Sequence, residues 1–393
     1  MKELQNIVES LSEIWSEGKA AAIATVVRTS GSTYRRPGAR MLIAEDGRMI
    51  GSISGGCLER DVVRQAQRVF RSRQPRLVTY DSTSEDDIVW GFGLGCNGVV
   101  DVLIEYLPVD DPHGQIAVLC DSVKKRKDLV LAKVFAVEGA ASVQAGDWLT
   151  LEQNLSMTSS IKNVDLRDQF LGDALRAMDA RESQVKVYDL STGKAAVFIE
   201  MIQPSLPLVI FGAGHDAVPL VRLAKEMGWY VTIVDGRPGY AIRAKFPTAD
   251  ELIVARPKTI ESITLNDRAM AVVMNHNYID DLGVLRFLLI TPAKYIGLLG
   301  PKRRSEKLLS DLRDEGFELS DNQLSRIHGP VGIDIGADTP EEVALAIVAE
   351  IKAVAAGRTV RMSRDLEGPL HTRCEKIEEP ALAGSIGRAS CGI

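Results

Sequence analysis

The stretch Leu206-Pro207-Leu208-Val209-Ile210-Phe211-Gly212-Ala213-Gly214-His215-Asp216-Ala217 decides the fold. Leu206 to Phe211 is a short apolar run of strand length, and Ala217 to Met227 carries apolar residues at helical spacing. Between them, Gly212-x-Gly214-x-x-Ala217 is the dinucleotide fingerprint in its GxGxxA form. Gly212 permits a tight turn, Gly214 lets a pyrophosphate approach the backbone, and Ala217 lets the helix lie close to the sheet. Asp235 closes the next strand, Tyr230 to Val234, where this fold places the acid that holds a ribose hydroxyl. Outward from there, strands at Leu252 to Ala255, Ala269 to Met274 and Tyr295 to Leu299 alternate with a helix at Asp281 to Ile290. The alternation predicts an α/β chain whose C-terminal part is a Rossmann-like, doubly wound parallel sheet. Thr339-Pro340-Glu341-Glu342 combines a cap, Pro at the first helical position and Glu at the third, and starts a helix that runs to about Ala356.

In an open parallel sheet, ligands sit beyond the carboxyl ends of the strands. The candidate cofactor-binding residues there are Gly212, Gly214, His215, Asp235, Arg237 and His276. Lys302 to Arg304 and His328 follow later strands. Asp235 favours a free 2′-hydroxyl, whereas Arg237 offers a partner for a 2′-phosphate, so NAD and NADP both stay open. The histidines suit an anion-holding site with proton transfer and do not form a compact zinc pattern, so no metal is expected.

The N-terminal half reads differently. A helix with Leu4, Ile7, Val8, Leu11, Ile14 and Trp15 on one face ends at Gly18. Strands follow at Ala20 to Val27, Met41 to Ala44 and Met49 to Ile53, then a helix at Leu58 to Arg73 and strands at Leu77 to Tyr80 and Val99 to Tyr106. This is a mixed α/β domain over residues 1–112. Three glycine-rich turns stand out in it. Gly31 to Arg40 carries Arg35, Arg36 and Arg40, which are donors for phosphate or carboxylate. Ser54-Gly55-Gly56-Cys57-Leu58-Glu59 sets Cys57 beside a helix start, which favours a thiolate. Gly91 to Gly98 contains Cys96. Cys57 and Cys96 are candidate thiols, and Gly55, Gly56 and Arg40 candidate ligand contacts. Cys120 follows an apolar run and belongs in a core, whereas Cys374 and Cys391 fall in the tail.

Residues 113–204 give a mixed connecting region expected to extend the first sheet. Strands are expected at Ile116 to Leu119, Leu129 to Val137 and Ala196 to Met201, and a helix at Val164 to Met178. Residues 205–357 form the Rossmann-like domain and 358–393 a tail.

Charge and composition exclude other classes. The 393 residues include 47 Lys and Arg against 53 Asp and Glu, a net charge of −6, so no basic excess exists to neutralise nucleic acid. Five cysteines, an odd number without short paired spacing, argue against a disulfide framework. The start lacks a basic stretch followed by an apolar core, and the longest apolar run, Ala20 to Val27, is too short to span a membrane. A cytoplasmic protein is the expectation.

Taken in order, Gly31 to Arg40, Gly51 to Glu59, Gly93 to Gly98, Phe211 to His215, Val234 to Arg237, Met274 to His276, Leu298 to Arg304 and His328 to Ala337 resemble the XdhC/CoxI family. These are accessory proteins for xanthine dehydrogenase and carbon monoxide dehydrogenase. The resemblance implies a maturation chaperone more than a turnover enzyme. Its cofactor would be the molybdenum cofactor, as molybdopterin or its dinucleotide form. Its partners would be a cysteine desulfurase that supplies the terminal sulfido ligand and a molybdo-hydroxylase such as xanthine dehydrogenase that receives the cofactor. A homodimer fits a protein that docks onto a larger enzyme. The competing reading is an NAD(P)-dependent oxidoreductase acting on a small carbonyl or hydroxy substrate, with His215 or His276 as proton donor; it leaves the Gly-Cys turns unused.

Overall fold

The computed structural model describes residues 1–82, 98–109, 114–139, 142–256, 259–260 and 263–366. The chain divides into two compact units, Glu3–Pro204 and Ser205–Glu367.

The first unit contains one arrangement twice. α1 (Lys2–Ser16), β1 (Ala21–Gly31), β2 (Arg40–Ala44), β3 (Met49–Gly51), α2 (Glu59–Ser72), β4 (Arg76–Asp81) and β5 (Gly98–Leu107) form the first copy. The second runs α3 (Gln115–Lys125), β6 (Leu129–Gly139), β7 (Trp148–Glu152), β8 (Met157–Ser159), α4 (Val164–Ala180), β9 (Gln184–Leu190) and β10 (Gly193–Ile202). The strand orders, β3-β2-β1-β5-β4 and β8-β7-β6-β10-β9, correspond one to one. So do details. Each central pair carries a bulge at the equivalent place, Val27 in β1 and Phe135 in β6. Gly38 and Gly146, both at φ 93°, donate their N–H to Val26 and Val134.

Residues 115–202 therefore build a second sheet and do not extend the first. The expected strand at Ile116 to Leu119 is part of α3, because Ile116, Leu119 and Val123 share one helical face. α2 covers its sheet with Val62, Ala66 and Val69, and α4 covers the second with Phe170, Ala174 and Ala177. The sheets' remaining faces share a core in which Ile23 and Leu107 meet Leu131 and Ile202, while Val27 and Leu103 meet Phe135 and Phe198.

The second unit runs β11 (Pro207–Phe211), α5 (Ala217–Glu226), β12 (Tyr230–Val234), β13 (Glu251–Ile253), β14 (Met270–Val273), α6 (Tyr278–Ile290), β15 (Tyr295–Leu298), α7 (Lys302–Asp314), α8 (Asp321–Ser325), β16 (Ile327–His328) and α9 (Pro340–Ala355). The sheet order is β13-β12-β11-β14-β15-β16, and every pair is parallel. This is the Rossmann order, with its switch point between β11 and β14. α5 and α9 pack on one face, and α6 and α7 on the other. Thr339 and Glu342 form the expected capping box at the start of α9.

Candidate functional site

The switch point brings together the sequence-predicted residues of the second unit. β11 delivers Gly212, at φ 120°, directly against β14: a Cβ there would lie 2.4 Å from the Met274 carbonyl oxygen. Only glycine fits, and the turn is fixed against the strand across the crevice. A Cβ on Gly214 would lie 3.2 Å from Nε2 of His276, so the histidine sits on the glycine turn. His276 is held in the left-handed region at φ 58°, and its Nε2 lies 3.4 Å from Oδ2 of Asp216. The N–H groups of Gly214, His215 and Asp216 have no hydrogen-bond partner among the described residues. Three successive free donors at a helix start are an arrangement that can accept a phosphate.

Asp235 does something the sequence did not reveal. It is buried, and Oδ2 accepts from the Ala213 N–H at 2.7 Å, clamping the glycine turn to the end of β12. Arg237 engages the same carboxylate through its backbone N–H at 2.8 Å and its guanidinium at 2.6 and 2.9 Å, and lies 3.8 Å from the Tyr240 ring centroid. Asp235 and Arg237 are thus partners and not alternatives.

Burial pushes the Asp235 carboxyl up, but the guanidinium and the two N–H donors hold it below its ordinary value of 3.8. A carboxylate with a depressed folded pKa stabilises the fold above the unfolded pKa and loses that contribution as pH falls through the folded one. The melting temperature of Asp235→Asn should therefore lie below wild type at neutral pH, and the gap should close below about pH 4. A gap independent of pH would show that the ionised carboxylate is not what matters.

Further along the crevice, Asp281 on α6 is buried and accepts from the Asn275 side chain at 3.1 Å and from Arg304 at 2.6 Å. Arg304 is therefore committed, while Lys302 and Arg303 beside it are exposed. His328, on the edge strand, has Nδ1 3.1 Å from Oε1 of Glu350 and its ring centroid 4.4 Å from that of Tyr295. The Tyr295 hydroxyl donates to the same carboxylate. Burial pushes that carboxyl up, yet His328, Tyr295 and the Gly332 N–H together hold it below its usual range. Glu350 and Tyr295 carried no sequence signal, since each sits in an apolar run.

The first unit holds a separate group of candidates. Glu59, at the first position of α2, folds back on the turn before it. It accepts from Ile53 N–H at 3.2 Å, Ser54 N–H at 2.9 Å and both serine hydroxyls, Ser52 and Ser54. Burial raises the Glu59 carboxyl, but these donors leave it below its ordinary value. Ser54 in turn accepts from the N–H groups of Gly56 and Leu58. The result presents Cys57 on the surface, next to Gly56 at φ 109° with open space above it. The Tyr34 ring, 68% exposed, lies beside Gly55.

Arg40 is placed elsewhere. It is 5% exposed and points between the two sheets, where its guanidinium meets both carboxylate oxygens of Glu200 and the Gly38 carbonyl. A second buried pair, Lys133 to Glu105 at 2.7 Å, lies beside it. Glu105 and Glu200 occupy equivalent positions of the two copies, and each takes its cation from the opposite sheet. The geometry makes Arg40 an inter-sheet pin and removes it from the surface group. Cys96 lies outside the described residues, and Cys120 is partly buried, as its apolar setting predicts.

Among the described residues no cluster of His, Cys, Asp and Glu is arranged to hold a metal ion, and no helix is long and apolar enough to cross a membrane.

Residues 14–81 match the XdhC and CoxI family, and residues 208–351 match the XdhC Rossmann domain. A Bacillus subtilis (strain 168) protein described as a probable xanthine dehydrogenase subunit is 34% identical over 347 residues, spanning 88% of this chain and 96% of its own. The chain belongs to the XdhC and CoxI family. Another relative, the molybdenum cofactor insertion chaperone PaoD of Escherichia coli (strain K12), is 23% identical, with 87% of this chain and 86% of that protein covered. A solved structure described as a xanthine dehydrogenase from Bacillus halodurans superposes with a TM-score of 0.72 at 31% identity, covering 90% of this chain and 97% of the other. The two XdhC matches divide the candidates as the fold does. Gly55 to Cys57 fall in the first, and the switch-point crevice falls in the second.

Proposed function

We propose that this protein is an accessory factor that binds the molybdenum cofactor, assists its sulfuration together with a cysteine desulfurase, and delivers it to xanthine dehydrogenase or a related molybdo-hydroxylase. The observation that carries the reading is the match along most of the chain both to a protein described as a probable xanthine dehydrogenase subunit and to a molybdenum cofactor insertion chaperone. The chemistry of the crevice supports it. Molybdopterin carries a phosphate, and its dinucleotide form a pyrophosphate. The free N–H groups of Gly214, His215 and Asp216 suit either, and Arg237 and the exposed Lys302 and Arg303 favour an anion in the same crevice. Cys57 is an accessible soft ligand of the kind that suits molybdenum or a sulfur atom in transit.

The test is reconstitution of cofactor-free xanthine dehydrogenase with cofactor carried by this protein, set against free cofactor at equal concentration. Carried cofactor should restore more activity. Cys57→Ala should lose most of that gain while still folding, since the thiol is exposed. Equal activity with and without the protein would sink the delivery role, and an unaffected Cys57→Ala would remove the thiol from it.

The glycine turn would also take the pyrophosphate of NAD(P), which keeps an oxidoreductase as the second reading. It ranks lower because the Asp235 carboxylate, which would bind the ribose, already has both oxygens engaged by Ala213 and Arg237.

A further inference from the structure

Helix α2 carries a ridge of arginines that the described residues leave almost without partners. Arg60, Arg64, Arg68 and Arg71 are all exposed. Their spacing of four, four and three residues keeps them on one face of the helix, over a length of about 16 Å. The two acids of α2 are spent elsewhere. Glu59 serves the Ser52–Ser54 turn, and Asp61 accepts from the Tyr80 hydroxyl at 2.8 Å and the Gln65 amide at 3.2 Å. Among the described residues the one ion pair along the ridge, Arg64 to Asp61, is long at 3.9 Å. Arg60, Arg68 and Arg71 have no hydrogen-bond or ion-pair partner among the described residues.

Helix energetics do not explain this arrangement. Like charges three and four residues apart repel, and a cation in the first turn opposes the helix dipole. An ordinary solvated helix face mixes signs; this one presents a single sign in a chain whose net charge is −6. Arginine, with its planar fork of donors, is also the cation that binds carboxylates in pairs.

We infer that α2 is a docking ridge for an acidic strip on a folded protein partner. Resting on the function proposed above, that partner is the molybdo-hydroxylase that receives the cofactor. Charge complementarity selects an acidic surface, and the short ridge fits a patch on a globular protein. A long polyanion would run past it onto a net acidic chain. The aromatic ring of α2, Phe70, packs against the sheet core and edge-to-face with Tyr106 at 6.3 Å, so the ridge itself carries no ring on which bases could stack. The ridge begins three residues after the exposed Cys57, so a partner seated on it covers the thiol end of the same helix.

The experiment titrates cofactor-free xanthine dehydrogenase against the full-length protein at several salt concentrations. Three forms are compared: wild type, Arg64→Glu/Arg68→Glu, and Arg313→Glu, an exposed arginine of α7 in the other unit. Cofactor binding by each form is measured in parallel. Wild type and Arg313→Glu should bind the enzyme alike, with affinity falling steeply as salt rises. The double variant should bind about tenfold or more weakly, with a flattened salt dependence and unchanged cofactor binding. Equal affinity and salt slope in wild type and double variant would overturn the ridge while leaving the proposed function standing. Wild type that binds cofactor but no enzyme at any salt would overturn both the client and its docking site. Arg64- and Arg68-dependent binding to a short RNA or to phosphatidylserine vesicles, with no such dependence for the enzyme, would overturn the protein partner.

Discussion

Glu200→Ala should destabilise the Glu3–Pro204 unit by about 3–5 kcal/mol, because it strands the Arg40 guanidinium between two sheets without the carboxylate that binds it directly. Arg40 is 5% and Glu200 8% exposed, so water cannot replace the lost partner. Burial pulls the guanidinium down, and Glu200, with smaller help from Glu105 and Glu3, more than restores it. For a unit of this size the loss corresponds to a fall in Tm of about 6–20 °C. The damage should not stop at the pair. Gly38, whose φ is 93°, sits so close to Glu200 that a Cβ would lie 2.8 Å from Oε1, so the turn carrying Tyr34 rests on this carboxylate. Replacing both partners, as in Arg40→Met/Glu200→Met, should recover most of the loss, since a buried ion pair is worth little against apolar packing of similar volume. A double variant no more stable than Glu200→Ala would show that the charges themselves hold the sheets in register.

Gly212→Ala should be the most damaging small substitution in the Rossmann unit, at about 2–4 kcal/mol. Two costs combine there. The backbone at φ 120° is open to glycine alone, and the added methyl would meet the Met274 carbonyl at 2.4 Å. Gly239→Ala separates them. Its φ is 83°, but nothing lies within 4 Å of a Cβ, so it should cost only about 1–2 kcal/mol. Thermal unfolding of both variants checks this, and equal losses would mean that the contact with β14 does not constrain the turn. Any residual folded Gly212→Ala should also bind anions more weakly, because the Gly214–Asp216 donors are set by that turn.

The Rossmann unit was largely legible because its information is local. Period, glycine spacing and the capping box at Thr339 each lie within a few residues, and each was found where expected. The doubling of the first unit was not legible. Its second copy repeats pairings and bulges and not residues, and Ile116-Ala117-Val118-Leu119 is too short an apolar run to distinguish strand from helix. β9, with Gln184, Lys186 and Asp189 along it, is an edge strand whose polarity hid it. Arg40 was misplaced for a related reason. A glycine-rich turn with arginines reads as a ligand loop, and the carboxylate that captures it lies 160 residues away. The α2 ridge was legible in principle. Arginines at 60, 64, 68 and 71 have the same helical period as the apolar face opposite.

The proposed function requires that this protein carry the molybdenum cofactor. The most direct measurement is the molybdenum and pterin content of the full-length protein purified from a cofactor-producing host grown with molybdate, with Gly212→Ala and Cys57→Ala prepared alongside. Wild type should hold molybdenum and pterin together in near-equal amounts, and at least one variant should hold less. Wild-type protein that holds neither, takes up neither when cofactor is added, and instead binds NAD(H) tightly would contradict the claim.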